Sequence, residues 1–419
     1  MQNKTTPAAN LAIDSSRLWK SLCDMAKIGP GVAGGNNRQA LTNEDATARS
    51  TFANWAKAAH CDLSVDQMGN MFVRHEGANP ELDPVYIGSH LDTQPTGGKY
   101  DGVLGVLAGL EIVRTLNSAG VVTNRPIVIV NWTNEEGTRF PPAMMASGVF
   151  AGTVDQTDAY NTKDSTGKRF VDELERIGWR GDEVVGGRKI HAYLELHIEQ
   201  GPILEESGIP VGIVTHGQGL RWINTVIEGR ESHSGSTPMD MRLDAGRGVA
   251  GAIEVAHGLA VENAPHALGT VGRVELFPNS TNIVPGLGNL TVDFRSHDLE
   301  TLNLMAEEYQ QRVSAVCSDL GLSVAFDTIA AFDPPTFDEK CVAVLRGAAE
   351  RLGHPHMDII SGAGHDACWI NNIAPTAMVM CPCVGGISHN ESEDITPEWA
   401  EAGTNVLLHA VLELAEVST

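Results

Sequence analysis

Apolar and polar positions in the first part of the chain follow two alternating periods. Continuous apolar runs at residues 85–88, 126–130 and 193–197 are typical of buried strands, whereas residues 102–116 place apolar side chains at helical spacing. Strands alternating with a helix predict an α/β core with a mostly parallel sheet. Because ligands gather at the carboxyl ends of such strands, the polar residues that follow these runs are the first candidates for chemistry.

The pattern changes after about residue 215. Strand, helix, strand, strand, helix and strand then follow in order, which predicts an inserted ferredoxin-like α+β domain. The last part of the chain returns to a helix, a strand and a closing helix. We therefore expect a discontinuous α/β domain formed by residues 1–214 and 333–419, with a smaller domain at residues 215–332.

Composition narrows the class of protein. The chain has 419 residues, a net charge of -24 and 42% hydrophobic residues, so it is long enough for two domains and too acidic for a nucleic-acid partner. The polar start and the absence of an apolar run of about 18 residues predict no signal peptide and no membrane span. Seven cysteines without regular spacing predict reduced thiols and a cytoplasmic protein.

Five short motifs combine histidines with acidic residues. They are Gly88-Ser89-His90-Leu91-Asp92, Tyr100-Asp101-Gly102, Asn134-Glu135-Glu136-Gly137, Glu195-Leu196-His197-Ile198-Glu199 and Ser388-His389-Asn390-Glu391. Imidazole and carboxylate ligands suit zinc, and also manganese, cobalt or nickel. Two such ions side by side polarise a carbonyl group and activate water, which suits hydrolysis of an amide or a urea.

The residues themselves leave alternatives open. Asp92 shares a strand face with His90, so it is better placed to orient His90 than to bind metal. Asp101 is either a helix cap or a carboxylate that bridges two ions. Glu135 and Glu136 form a solvated acidic turn, or else one binds metal while the other acts as a general base. Among 15 histidines, chemistry alone does not single out two more ligands.

Taken together, the motifs resemble the hydantoinase/carbamoylase group of the M20-type metallohydrolases. This group includes N-carbamoyl-L-amino acid hydrolase, β-ureidopropionase and allantoate amidohydrolase. The segments that carry the resemblance are residues 88–105, 134–140, 195–202, 232–242, 278–285, 293–296, 361–367 and 388–391. They extend over nearly the whole chain.

The resemblance implies a centre of two divalent metal ions, with zinc first and manganese, cobalt or nickel as alternatives. The implied ligands are His90, Asp101, Glu136, His197 and His389. Asp101 would bridge both ions, His90 and His197 would complete one site, and Glu136 and His389 the other. Glu135 would be the general base, and Asp92 would support His90.

The resemblance also implies a substrate site. Arg295 would bind the substrate carboxylate, since a guanidinium matches its planar, two-pronged geometry. His233 would stabilise the oxyanion, and Asn282 and Gln200 would contact the substrate. Without the resemblance, Arg295 is a surface salt bridge, and His233 and Asn282 are solvated loop residues. The inserted domain would be a lid and dimerisation module, which predicts a homodimer.

The implied reaction is metal-dependent hydrolysis of the carbamoyl C–N bond of a small N-carbamoyl amino acid, as in N-carbamoyl-L-amino acid hydrolase or β-ureidopropionase. The Thr93-Gln94-Pro95-Thr96 segment favours the second of these. Allantoate amidohydrolase is the main alternative, and a dipeptidase or aminoacylase is a more distant one. A non-catalytic metal-binding protein would have no need of Glu135 as a base.

Overall fold

The computed structural model describes residues 10–417, and the chain divides into two compact units. The first contains the described residues up to Thr215 and from Phe337 onward; the second is His216–Thr336. The second unit thus runs to Thr336 rather than to residue 332. The backbone of Gly217 donates a hydrogen bond to the carbonyl of Pro335 at 2.9 Å, which joins the two ends of this unit.

Helices and strands alternate along most of the chain. Within the described residues the helices are α1 (Ser15–Ala26), α2 (Asn43–Ala58), α3 (Val103–Ala119), α4 (Met145–Phe150), α5 (Gln156–Asn161), α6 (Phe170–Arg176), α7 (Ile203–Ser207), α8 (Ala245–Glu262), α9 (Leu299–Asp319), α10 (Glu339–Leu352), α11 (Asp366–Ile370) and α12 (Pro397–Leu414). The strands are β1 (Asp62–Val65), β2 (Met71–His75), β3 (Val85–His90), β4 (Ile127–Trp132), β5 (Ala192–Ile198), β6 (Val211–Gly217), β7 (Gly219–Glu228), β8 (Ser232–His233), β9 (Ala267–Phe277), β10 (Ile283–Val284), β11 (Leu287–Ser296), β12 (Ser323–Phe332), β13 (His356–Ser361) and β14 (Thr376–Cys381).

The first unit is built on a sheet with the strand order β1-β2-β4-β3-β5-β14-β6-β13. The central strands β4, β3, β5 and β14 are parallel to one another, and every residue in them is buried. Strands covered on both faces are rich in apolar residues on both sides, which explains their nearly continuous apolar runs. The prediction of an α/β fold with a mainly parallel sheet is confirmed.

The second unit contains an antiparallel sheet with the strand order β12-β7-β11-β9. Along the chain its main elements follow as strand, helix, strand, strand, helix, strand. Residues of β11 alternate strictly between partly exposed and buried, as expected when helices cover one face only. The buried face packs against α8 and α9 through a separate apolar core that includes Phe294, Leu302 and Tyr309.

Strand β12 is longer than its sequence pattern predicts. The apolar run stops near residue 326, but the strand continues to Phe332. Its register with β7 shifts between Thr328 and Ala330, and such a bulge breaks the period-two pattern on which the prediction depends. The two N-terminal helices and the β1–β2 pair were not predicted either.

Two sequence expectations concern membrane-spanning helices and the state of the cysteines. No helix in residues 10–417 combines the length and apolar character needed to cross a membrane. All seven cysteines lie among the described residues and none of them forms a disulfide; Cys23 is exposed and the others are buried.

Candidate metal centre

Three of the sequence motifs meet at one edge of the parallel sheet. His90 is the last residue of β3, His197 is the last but one of β5, and Glu135 follows the end of β4 at Trp132. Because β4, β3 and β5 are adjacent and parallel, their carboxyl ends lie side by side. The fold thus brings together residues that are far apart in the sequence.

Asp101 lies between two groups of possible metal ligands. Its Oδ1 is 3.1 Å from Nε2 of His197 and 3.7 Å from Nε2 of His90. Its Oδ2 is 3.3 Å from Nε2 of His389, and that Nε2 is 3.4 Å from Oε2 of Glu136. In each group the ligand atoms lie within 4.8 Å of one another, and Asp101 is the member they share.

The two groups differ in exposure. His90, His197 and Asp101 are buried, whereas the side chain of His389 is 51% exposed. Gln200 lies on this open side, where its Nε2 donates to Oδ2 of Asp101 at 2.9 Å. The ligand group that contains His389 is therefore the more exposed of the two.

The local backbone is shaped to hold these side chains. Gly102 follows Asp101 with a φ of 67°, and a Cβ at this position would run into the imidazole of His90. Asn134, Gln200 and His389 also have positive φ values, of 60°, 58° and 53°. Non-glycine residues rarely adopt this conformation, and such strain is concentrated at functional sites.

Burial and neighbouring charges have opposite effects on the pKa values of the residues in the centre. Burial lowers the pKa of His90 to about 4. Burial also acts to lower the pKa of His197, but contacts with Asp101 outweigh it and raise the pKa to about 9. Burial acts to raise the pKa of Asp101, yet its close contacts with the imidazoles of His197 and His389 hold it well below its usual range.

The imidazole nitrogens and carboxylate oxygens of the two groups form a donor set that fits divalent metal ions. Nε2 of His197 is buried without a hydrogen bond of acceptable geometry, although Oδ1 of Asp101 is 3.1 Å away. A buried, unpaired imidazole nitrogen aimed at carboxylates and a second imidazole is the arrangement expected of metal ligands. Nitrogen and oxygen donors suit zinc, manganese, cobalt or nickel.

Glu135 lies beside this donor set. It is 6% exposed, and its Oε2 is 3.5 Å from Nε2 of His90. Burial, followed by the nearby charges of Asp366 and Glu136, raises the pKa of the Glu135 carboxyl well above its ordinary value. A carboxylate with raised proton affinity at the edge of a buried centre is suited to act as a base.

Asp92 holds the glutamate pair rather than the His90 ring. Its carboxylate accepts hydrogen bonds from the backbone amides of Glu135 and Glu136, each at 3.3 Å. The imidazole of His90 instead contacts the main-chain carbonyl of Asp92, at 2.9 Å from its Nδ1. The expectation that the Asp92 side chain orients His90 is therefore corrected, because that contact is made by the backbone.

The remaining predicted residues lie in the second unit. His233 and Asn282 are neighbours, because β8 pairs with β10 and the amide of Ser234 donates to the carbonyl of Asn282 at 3.0 Å. Both side chains are exposed. Arg295 lies on β11, where its guanidinium binds the carboxylate of Asp293 with a shortest distance of 3.0 Å.

Sequence reasoning missed several supporting residues. Gln94 donates from its backbone amide and its side chain to the carboxylate of Glu136, at 3.1 and 2.6 Å. The His365 ring lies against His197 with centroids 4.3 Å apart. Glu393 is 1% exposed and binds the segment that carries Asp101. Gln94 and His365 lie in segments that carry the family resemblance, but no local pattern marks Glu393, because its partners are distant in sequence.

Comparison with known proteins agrees with this geometry. The profile of peptidase family M20/M25/M40 matches residues 86–413, which include all the possible metal ligands named above. The chain belongs to peptidase family M20/M25/M40. An N-carbamoyl-L-amino-acid amidohydrolase from Rhizobium meliloti is 56% identical to this family member over 98% of this chain and 99% of its own length.

Two further relatives refine the position within the family. The crystal structure of an amidase of the hydantoinase/carbamoylase family from Burkholderia multivorans has a TM-score of 0.92 and 50% identity, covering 97% of this chain and 98% of that one. A ureidoglycolate hydrolase from Arabidopsis thaliana is 31% identical over 98% of this chain and 88% of its own length. The resemblance to the hydantoinase/carbamoylase group is confirmed.

Proposed function

We propose that this protein is an amidohydrolase that acts on linear amides and cleaves the carbamoyl C–N bond of N-carbamoyl-L-amino acids. The observation that carries the proposal is the buried carboxylate of Asp101 between two groups of ligands, with the Glu135 carboxyl beside it. The N-carbamoyl-L-amino-acid amidohydrolase that is 56% identical over nearly the full chain supports this substrate class.

Two divalent cations fit the donor set, and zinc is the first candidate. His90 and His197 would hold one, Glu136 and His389 the other, and Asp101 both. When bound, such ions polarise a carbonyl group and lower the pKa of water. Manganese, cobalt and nickel are alternatives that share these ligand preferences.

The base in this reaction is Glu135. Its carboxylate takes a proton from the water that attacks the ureido carbonyl carbon, and it delivers the proton to the amino-acid nitrogen as the C–N bond breaks. The free amino acid leaves, and the carbamic acid that remains breaks down to carbon dioxide and ammonia. The Asp92 carboxylate holds the backbone of Glu135 by accepting a hydrogen bond from its amide.

His233 has the right tautomer to stabilise an oxyanion. The backbone amide of Gly235 donates to its Nδ1 at 3.0 Å, so the proton of the neutral ring is on Nε2. Nε2 can then donate to the developing negative charge on the ureido oxygen. Arg295 would bind the substrate carboxylate, and Asn282 and Gln200 would contact the rest of the substrate.

The second unit is proposed to act as a lid and as the contact between two chains of a cytoplasmic homodimer. Large apolar side chains are exposed on this unit, among them Val261 at 60%, Leu268 at 54% and Phe277 at 46%. Exposed apolar groups are often covered by a partner. Sedimentation of the full chain tests this point, and a monomer at micromolar concentration would refute it.

A second candidate function is hydrolysis of a ureido group in a different small acid, such as ureidoglycolate or allantoate. The 31% identity to a plant ureidoglycolate hydrolase supports this candidate. The donor set around Asp101 serves either reaction. Substrate choice is therefore decided by the residues that contact the substrate, not by the metal centre.

A substrate panel tests the proposal. The protein would be stripped of metal, reconstituted separately with zinc, manganese, cobalt or nickel, and assayed for ammonia release. The panel contains N-carbamoyl-L-methionine, its D-enantiomer, N-carbamoyl-β-alanine, allantoate and ureidoglycolate, with stripped protein as the control. We expect the highest kcat/KM with the L-α-compound. A preference for allantoate or ureidoglycolate would favour the second candidate, and no metal-dependent turnover of any compound would refute both.

A further inference from the structure

The side-chain carboxylate of Glu393 accepts three hydrogen bonds inside the protein. Its Oε1 accepts from the backbone amides of Tyr100 and Asp101, each at 3.1 Å, and its Oε2 accepts from Oγ of Ser388, also at 3.1 Å. The residue is 1% exposed. A buried carboxylate is costly unless its oxygens are hydrogen-bonded in this way, so its partners fix its position.

These hydrogen bonds join two distant segments of the chain. One segment carries Asp101, the shared member of the two ligand groups, and the other carries His389, directly after Ser388. Oγ of Ser388 is also 3.3 Å from Oδ2 of Asp101, the same oxygen that faces His389. Glu393 thus holds the segments of two members of the ligand group formed by Asp101, Glu136 and His389, although it is not itself a member of that group.

The chain leaves space for this carboxylate at Gly98. A Cβ at Gly98 would overlap the carboxyl group of Glu393, so this carboxyl group would have to move away and give up its hydrogen bonds. Gly98 has no positive φ value that would itself require glycine. The absence of a side chain at Gly98 is therefore explained by Glu393.

We propose that Glu393 is a positioning residue that fixes Asp101 and His389 relative to each other, and thereby sets the affinity for the cation held with Glu136. The inference rests on the two-cation centre of the proposed function. The effect should be larger at this cation, because Ser388 directly precedes His389 and none of the three hydrogen bonds of the Glu393 carboxylate involves His90 or His197.

The expected effect follows from what outer hydrogen bonds do at metal sites. Removing such a partner commonly weakens metal binding by about 10- to 100-fold. We expect Glu393→Ala to weaken the metal equivalent held with Glu136 and His389 by this factor, and to weaken the other less, because only Asp101 is common to both. Glu393→Gln keeps an oxygen for the two amides and a polar group for Ser388, so it should restore binding to within about threefold.

Calorimetric titration of metal-stripped full-length protein with Zn²⁺ measures both equivalents without any assay of activity. Gly98→Ala is a second, independent variant, and it should reproduce the loss because it displaces the Glu393 carboxylate. Glu391→Ala is the matched control: Glu391 lies in the same loop, but it accepts the amides of Ala33 and Gly35. We expect this control to bind both equivalents as the wild type does.

Several results would overturn the inference. These are two unchanged equivalents in Glu393→Ala, a Gln variant as weak as the Ala variant, or an equal loss in Glu391→Ala. A wild type that binds two equivalents but hydrolyses no carbamoyl compound would refute the proposed function alone. A wild type that does not bind two equivalents would refute the two-cation centre and the inference together.

Discussion

The Asp92 carboxylate offers a direct test of how the catalytic glutamate is held. Asp92 is 1% exposed, and its carboxylate accepts hydrogen bonds from the backbone amides of Glu135 and Glu136, each at 3.3 Å. Asp92→Asn keeps one acceptor oxygen and almost the same volume, but it turns an NH₂ donor toward the other amide. One buried amide then has no acceptor, which costs about 1–3 kcal/mol.

That cost should appear in the rate. If the glutamate pair must hold its geometry in the transition state, about 1–3 kcal/mol corresponds to a kcat roughly 5- to 160-fold lower. His90 keeps its hydrogen bond, since the acceptor is the main-chain carbonyl of Asp92. We therefore expect at least one metal equivalent to remain after dialysis. The measurements are steady-state kinetics of ammonia release and metal content per chain.

A control variant separates this effect from general loss of stability. Asp338 lies at the start of α10, and its Oδ1 accepts the amides of Lys340 and Cys341 at 3.0 and 2.9 Å. Asp338→Ala should lower the free energy of unfolding in urea by about 1 kcal/mol with no change in kcat. A wild-type kcat in Asp92→Asn, or an equal fall in Asp338→Ala, would refute the reasoning.

Three further predictions address the centre and the substrate. Glu135→Gln should abolish turnover while metal content stays at the wild-type level, and near-normal kcat would contradict its role as base. Arg295→Ala should raise KM for carboxylate substrates by tenfold or more with a smaller change in kcat, and an unchanged KM would show that another group binds the carboxylate. Chelation should abolish activity and lower Tm, because metal stabilises only the folded state; added Zn²⁺ should restore both, as calorimetry and ammonia release would show.

Local pattern is sufficient to predict the central parallel strands, with ends within two residues of those observed. Continuous apolar runs identify strands covered on both faces, and polar residues directly after them, such as His90, must lie at the edge where parallel strands end. Pattern does not reveal which group a side chain contacts. For that reason the pattern predicts a contact between the Asp92 carboxylate and His90, whereas in the structure this carboxylate accepts hydrogen bonds from the amides of Glu135 and Glu136.

The spacing of apolar residues, whether that of a strand or that of a helix, does not predict contacts between residues that are far apart in the sequence. Glu393 and Asp101 are hydrogen-bonded although 292 positions separate them in the sequence. An acidic residue in a polar loop gives no sign that it is buried, since the same composition is typical of a solvated turn. The sequence likewise gives no reason for a glycine at position 98, and the reason becomes clear only from the space that Gly98 leaves for the Glu393 carboxylate.

Strain in the backbone connects the fold to the chemistry. The chain passes through a left-handed residue soon after β4 at Asn134 and soon after β5 at Gln200, and again at His389. Each such residue costs about 1–3 kcal/mol, and together they approach the total stability of many domains. Glycine would relieve the strain, but it would remove the amide that Gln200 presents to Asp101 and the imidazole of His389. The polar side chains are therefore retained for their contacts, and the buried parallel strands must supply the stability that these positions lack.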